Sequence, residues 1–168
     1  MLAKLGAISG RYLVVASAAM ALAGCGGAPK KDPKSIVKYV ITSAIDCQES
    51  AQLSYEDCTS MIEKAVVAHD GNAPKFTTLK ACEAKEGADK CERIDDRVFR
   101  PKLAAFLLTM NTPPTVEPLY VSQTGLIGFR SASAAMLSVD DEALTFSKSA
   151  THAAEVLTDT KKAAGISM

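Results

Sequence analysis

The placement of the five cysteines constrains this chain most. Cys25 ends an apolar N-terminal run, and the other four follow at positions 47, 58, 82 and 91. The stretch Leu22-Ala23-Gly24-Cys25 has the pattern of a bacterial lipobox, and no acidic residue precedes it. An exported chain meets an oxidising compartment, where cysteines form structural disulfides. We therefore expect the four later cysteines to stabilise the folded domain.

The N-terminal segment predicts lipidation. Lys4 and Arg11 precede an apolar run that ends at Gly24, which is the order of a secretory signal. We expect residues 1–24 to be removed and Cys25 to carry the lipid anchor, with the even number of remaining cysteines as support. Ordinary signal-peptidase cleavage after Ala21-Leu22-Ala23 is the alternative. An uncleaved anchor would need roughly 20 apolar residues, more than residues 12–24 provide.

Composition then limits the classes of function. Cleavage before Cys25 leaves 144 of the 168 residues, which is the usual size of one domain. We expect residues 25–34 to form a flexible tether and residues 35–164 a single α+β domain. All 19 acidic residues lie in this mature part against 17 basic ones, so a nucleic-acid partner is not expected.

The first half of the domain predicts one strand and a helix hairpin. Residues 36–45 are rich in β-branched and aromatic residues, which favours a strand, with a short helix as the alternative. Ser54 begins a helix with an apolar stripe, and Gly71-Asn72 and Pro74 end it. Thr77-Thr78 caps a second helix that Gly87 closes.

The second half predicts one helix between polar and β-like segments. Residues 92–98 are charged, which predicts a solvated connection; Asp95-Asp96 lies within it. Pro101 begins a predicted third helix, whose apolar residues at helical spacing are Leu103, Phe106, Leu107 and Met110. Short strands are expected over 119–121, 127–139 and 144–146, and Ser149 caps a last helix through Leu157.

The cysteine spacing is C-x10-C followed by C-x8-C, which differs from thiol oxidoreductases and common zinc sites. We favour disulfides Cys47–Cys58 and Cys82–Cys91, because each closes a short loop. Cys58–Cys82 with Cys47–Cys91 remains the alternative, since two adjoining helices carry Cys58 and Cys82. The fold class expected is thus a small disulfide-stapled α+β domain with a helix-hairpin unit and a few short antiparallel strands.

The cysteine region also resembles a known family. Asp46-Cys47, Cys58 with Ala65, Ala73-Pro74-Lys75-Phe76, Cys82-Glu83, Gly87 and Cys91 occur in the order and spacing of the YgiB-like bacterial lipoproteins. Phe99-Arg100-Pro101, Pro118-Leu119-Tyr120 and Gly128-Phe129-Arg130 look similar in order. The specific resemblance covers residues 44–92. It implies an envelope lipoprotein without an established activity, catalytic residue or cofactor.

Few residues suggest chemistry. His69 and His152 are isolated and have no metal-ligand spacing, so neither a metal nor a cofactor is expected. His69 ends the apolar stripe of its helix, where a partly buried, hydrogen-bonded histidine is expected. Ser147-Lys148-Ser149 is the best candidate for a nucleophile activated by lysine, although a polar helix entry explains it better.

We therefore expect a non-enzymatic binding or scaffolding lipoprotein. Its partners would be the membrane, through the lipid anchor, and another envelope protein. Because Gly26 follows Cys25, the outer membrane facing the periplasm is the expected location if the cell has one. Tyr120, Phe129 and Arg130 are the candidate binding residues, with a role in core strands as the alternative. An envelope hydrolase or a small-ligand carrier is the alternative function.

Overall fold

A computed structural model describes residues 36–122 and 125–164. The predicted signal peptide, the predicted lipidation site Cys25 and the predicted tether at 25–34 lie outside these residues. In the described part, the elements in chain order are β1 (Lys38–Ile41), α1 (Ala44–Ala51), α2 (Tyr55–Asn72), α3 (Leu79–Glu86), β2 (Cys91–Asp95), β3 (Val98–Pro101), β4 (Ala105–Thr109), β5 (Thr115–Val121), β6 (Gly128–Ser131), β7 (Met136–Ser138), β8 (Leu144–Phe146) and α4 (Lys148–Ala164).

The first strand is shorter than predicted because a helix begins within its expected range. Ser43 is the N-cap of α1, and its Oγ accepts a hydrogen bond from Asp46 N at 3.1 Å. The Asp46 carboxylate in turn accepts from Thr42 N at 2.8 Å. These reciprocal bonds satisfy amides that have no partner within the helix, so the chain turns into α1 after Ile41. The prediction of a strand through residue 45 is therefore wrong at its end.

The two helices of the predicted hairpin are confirmed as α2 and α3, but α2 packs against α1 and β5, whereas α3 packs against β2 and β3. Ser54 Oγ accepts from Asp57 N at 3.0 Å, and Thr78 Oγ1 accepts from Ala81 N at 3.1 Å. Ser54 is the predicted cap, and Thr78 is the capping residue of the predicted pair Thr77-Thr78. At the end of α3, Gly87 has a φ of 105°, a conformation that side chains with a Cβ rarely adopt.

The predicted third helix is wrong, because its residues form β4. This strand lies inside a six-stranded sheet of order β7-β6-β5-β4-β1-β8, in which all pairs are antiparallel except β1 with β8. Residues Ala105 to Leu108 are all buried, since both faces of the strand are covered. A strand buried on both faces has a continuous apolar run, so its spacing also fits one side of a helix.

The charged segment after Cys91 is also ordered differently from the prediction. It forms a separate two-stranded sheet of β2 and β3, with Asp95-Asp96 at the exposed turn. The turn is held by a hydrogen bond from Asp96 N to Asp95 Oδ1 at 2.7 Å. Asp95-Asp96 thus belongs to a hairpin turn instead of an irregular connection.

The two faces of the large sheet pack against different helices. On one face, Val40, Leu107, Leu119 and Phe129 belong to the same core cluster as Ala150 and Ala154 of α4. On the other face, Ile41, Phe106 and Leu108 share a cluster with residues of α1 and α2, among them Cys47 and Cys58. The alternation of side chains along each strand therefore assigns neighbouring residues to different cores.

Two disulfides reinforce the helical side of the molecule. Cys47–Cys58 joins α1 to α2, and Cys82–Cys91 joins α3 to β2. This is the connectivity that the short loops favoured. The chain is therefore a mixed helix and strand fold with two disulfides, as expected, but with more strand than predicted. In the part of the chain that the structure describes, no helix is long and apolar enough to cross a membrane.

Candidate functional site

A buried ion pair joins the end of α3 to β6. Arg130 NH2 donates to the Oε2 carboxylate oxygen of Glu86, and NH1 donates to the carbonyl oxygen of Ser131 at 3.4 Å. The side chains of Glu86 and Arg130 are only 5% and 10% exposed. Charges so far from water are stable only when they are paired, so the ion pair fixes α3 against the sheet.

Tyr120 and His69 lie behind this pair. The Arg130 Cζ is 4.9 Å from the centroid of the Tyr120 ring, within the range of a cation–π contact. The Tyr120 hydroxyl forms a 3.0 Å hydrogen bond with His69 Nδ1. Burial raises the pKa of Tyr120, and burial, followed by the positive charge of Arg100, lowers the pKa of His69. Both groups are therefore neutral at pH 7.

A second set of ion pairs holds the β2–β3 hairpin against α2. Arg100 Nε donates to Glu92 Oε1 at 2.6 Å, and Arg100 NH1 donates to Asp70 Oδ1 at 2.6 Å. The same Glu92 oxygen is 3.7 Å from His69 Nε2. The β2–β3 hairpin therefore covers the Nε2 side of the His69 ring, whereas Tyr120 contacts the Nδ1 side.

The Glu86–Arg130 pair borders a cavity of about 660 Å³, which we call the α3 pocket. The pocket is lined by Pro74, Phe76, Ala81, Lys85, Glu86, Arg130, Ala132 and Ala134. Most of these side chains are apolar, and the charged groups come from α3 and β6. Apolar walls with a few placed polar groups are typical of small-ligand sites, and the volume lies in their usual range.

Two of the three predicted binding residues come together at this site. Arg130 lines the α3 pocket, and Tyr120 supports its guanidinium from behind. Tyr120 is only 2% exposed, so its role at the site is to hold Arg130 in position. Phe129 points to the other face of the sheet, is fully buried, and stacks on Phe146 at 6.1 Å. The role in core strands that the sequence left open therefore applies to Tyr120 and Phe129, which form no exposed contact surface.

Sequence reasoning missed Lys85 and Glu86. The position of Gly87 showed that these residues end a helix, but Glu86 and Arg130 are 44 positions apart. Nothing local in the sequence indicates such a pairing. His69 was expected to be partly buried and hydrogen-bonded, and the structure shows it buried and bonded to Tyr120.

The candidate nucleophile Ser147 is part of a helix cap. Its Oγ accepts from Ala150 N at 3.0 Å and donates to Asp46 Oδ2 at 2.5 Å, whereas Lys148 and Ser149 are exposed. The cap of α4 is thus Ser147 instead of the predicted Ser149. Among residues 36–122 and 125–164, no group of three or more His, Cys, Asp or Glu side chains could hold a metal ion.

Comparison with known proteins gave one match. The family model described as "Protein of unknown function (DUF1190)" matches residues 37–166. No curated protein and no solved structure matches the chain.

Proposed function

This chain belongs to the DUF1190 family, the YgiB-like family that its cysteine region resembles, and we propose that it is a lipid-anchored envelope protein that binds a ligand without catalysis. The observation that carries the binding role is the α3 pocket, which combines apolar walls with the Glu86–Arg130 pair. This pocket favours the small-ligand carrier over a protein scaffold, because a scaffold has no need of a cavity.

The anchor rests on the sequence. Leu22-Ala23-Gly24-Cys25 follows an apolar run without acidic residues, which is the pattern of a lipoprotein signal. The disulfides Cys47–Cys58 and Cys82–Cys91 suit an oxidising compartment such as the periplasm. Gly26 after the lipidated cysteine supports an outer-membrane location.

The hydrolase alternative has weaker support. Its best serine, Ser147, uses its hydroxyl to cap α4 and to bond Asp46. A serine nucleophile needs a base within hydrogen-bond reach that can take its proton, and Lys148 is exposed at the surface, whereas lysines that act as bases are buried.

The anchor is tested by detergent-phase partitioning of the full chain and of Cys25→Ser in cells. We expect the parent chain in the detergent phase and Cys25→Ser in the aqueous phase, because multiple acyl chains give stable membrane residence. Gly27→Ser, two residues away, should partition like the parent. Detergent-phase Cys25→Ser would contradict the lipoprotein proposal.

The binding role is tested by photo-crosslinking in intact cells. A photoreactive phenylalanine at Lys85, an exposed residue of the pocket lining, places the probe at the α3 pocket, and the same probe at Val67 places it on an exposed part of α2. We expect a mass adduct of defined size at Lys85 and none at Val67. Equal adduct patterns at both sites would refute binding in the pocket.

A further inference from the structure

We propose that the ligand of the α3 pocket is a monoanionic amphiphile, an apolar body that ends in one carboxylate. This inference rests on the proposed binding role and names the chemistry of the ligand. Three features of the pocket carry it: its charge balance, the free hydrogen-bonding capacity of Arg130, and the composition of its walls.

The charge balance favours an anion. Lys85 and Arg130 contribute two positive charges to the lining, and Glu86 contributes one negative charge. Because Glu86 already pairs with Arg130, the pocket is left with one net positive charge. A ligand with one negative charge neutralises it, whereas a cation would be repelled and a dianion would leave an excess charge.

Arg130 retains donors that a ligand can use. A guanidinium carries five N–H groups, and its hydrogen bonds here go to Glu86 and to the carbonyl of Ser131. Its Nε is enclosed by protein and has no hydrogen-bond partner among the described residues, so a ligand would be bound by the remaining N–H groups of NH1 and NH2. The residue is only 8% exposed, so water does little to satisfy the remaining donors. A carboxylate matches the planar geometry of these donors.

The walls favour an apolar ligand body. Pro74, Phe76, Ala81, Ala132 and Ala134 have no side-chain donor or acceptor, so a polar body would lose its hydration without compensation. The Phe76 wall is held in place by backbone hydrogen bonds in both directions with Phe99, of 2.8 and 2.9 Å. The pocket is therefore partly formed before any ligand arrives.

The first experiment compares ligands of equal chain length. Binding of decanoate, decanol and decyltrimethylammonium to the full chain is measured by calorimetry below their micellar concentrations, with acetate as a ligand that lacks an apolar body. We expect decanoate to bind at least about 10-fold more tightly than the other two ten-carbon ligands, and acetate to show no binding. This order follows from the uncompensated positive charge and the apolar walls.

The second experiment places decanoate in the pocket. Ala132→Phe fills the cavity from an exposed loop position and should weaken decanoate binding at least about 10-fold. Lys85→Gln should weaken it about threefold, since an exposed charge acts through water. Lys80→Gln, on the same helix but outside the pocket, is the matched control and should bind like the parent. Thermal melting of each variant verifies that it is folded.

The outcomes separate the ligand class from the binding role. If all three ten-carbon ligands bind equally and Ala132→Phe weakens all of them, the anionic class is wrong although the pocket binds ligands. If decanoate does not bind, or binds equally to Ala132→Phe, the inference fails. A pocket-specific adduct from crosslinking in cells would still support the binding role in that case.

Discussion

Removing Glu86 tests whether its pair with Arg130 behaves as a buried charge. In Glu86→Leu the guanidinium loses its carboxylate while remaining enclosed by the sheet and the Tyr120 ring. An exposed ion pair contributes about 0–1 kcal/mol, whereas breaking a buried pair costs about 3–5 kcal/mol. The 5% and 10% exposure of the two side chains places this pair in the second class. We expect a loss of about 3 kcal/mol, at the lower end, because Arg130 also borders the α3 pocket.

The double variant Glu86→Leu/Arg130→Met supplies the decisive comparison. It removes both charges and keeps similar apolar volume, so its free energy of unfolding should lie within about 1–2 kcal/mol of the parent. Chemical denaturation with intact disulfides measures all the variants, including Arg130→Met, which completes the double-mutant cycle. A loss below about 1 kcal/mol in Glu86→Leu would show that solvent screens the pair. A double variant as unstable as the single one would show that packing, and not charge, is responsible.

Two further predictions concern other parts of the same side of the molecule. Cys82→Ser/Cys91→Ser should lower the free energy of unfolding by about 2–3 kcal/mol, because a bridge with a sequence separation of 9 restricts the unfolded chain. An unchanged denaturation midpoint would refute this prediction. Burial holds the pKa of His69 below its usual 6.5, so the histidine of the unfolded chain is protonated first as the pH falls. The free energy of unfolding should therefore decline below pH 6.5, by up to about 1.4 kcal/mol per pH unit. His69→Gln should remove this decline between pH 7.5 and 5.5 and exposed His152→Gln should keep it, so an equal decline in both variants would contradict the assignment.

Local signals determined which parts of the fold could be predicted. The caps Ser54 and Thr78 act within three residues, so α2 and α3 followed from the sequence. The helix α1 was missed because Ser43 and Asp46 follow a β-branched run that suggested one longer strand. The strand β4 was read as a helix because its apolar character comes from burial on both faces, which is a property of the whole sheet.

The candidate site could likewise be predicted only in part. Arg130 and Tyr120 could be selected as residue types that are common at binding sites. The site itself could not be predicted, because Arg130 and Tyr120 are far in sequence from Lys85 and Glu86. Glu86 reaches Arg130 only after α3 has packed on the sheet. His69 and Tyr120 are likewise 51 positions apart. Whether these groups meet depends on the order of the strands, and no short pattern records that order.

The position of β1 inside the large sheet has a consequence for biogenesis. Lys38 pairs with Thr109 on one side and with Leu144 on the other, so the first strand has partners that are synthesised much later. During synthesis from the N-terminus, β1 has to wait for β8 before both of its edges are covered. The bridges Cys47–Cys58 and Cys82–Cys91 link cysteines only 11 and 9 positions apart, so neither bridge needs the C-terminal strands in order to close. The bridges of the helical half need no residue beyond Cys91, whereas the sheet needs β8, so a chain halted before residue 144 presents an unpaired edge of β1 to other chains and to proteases.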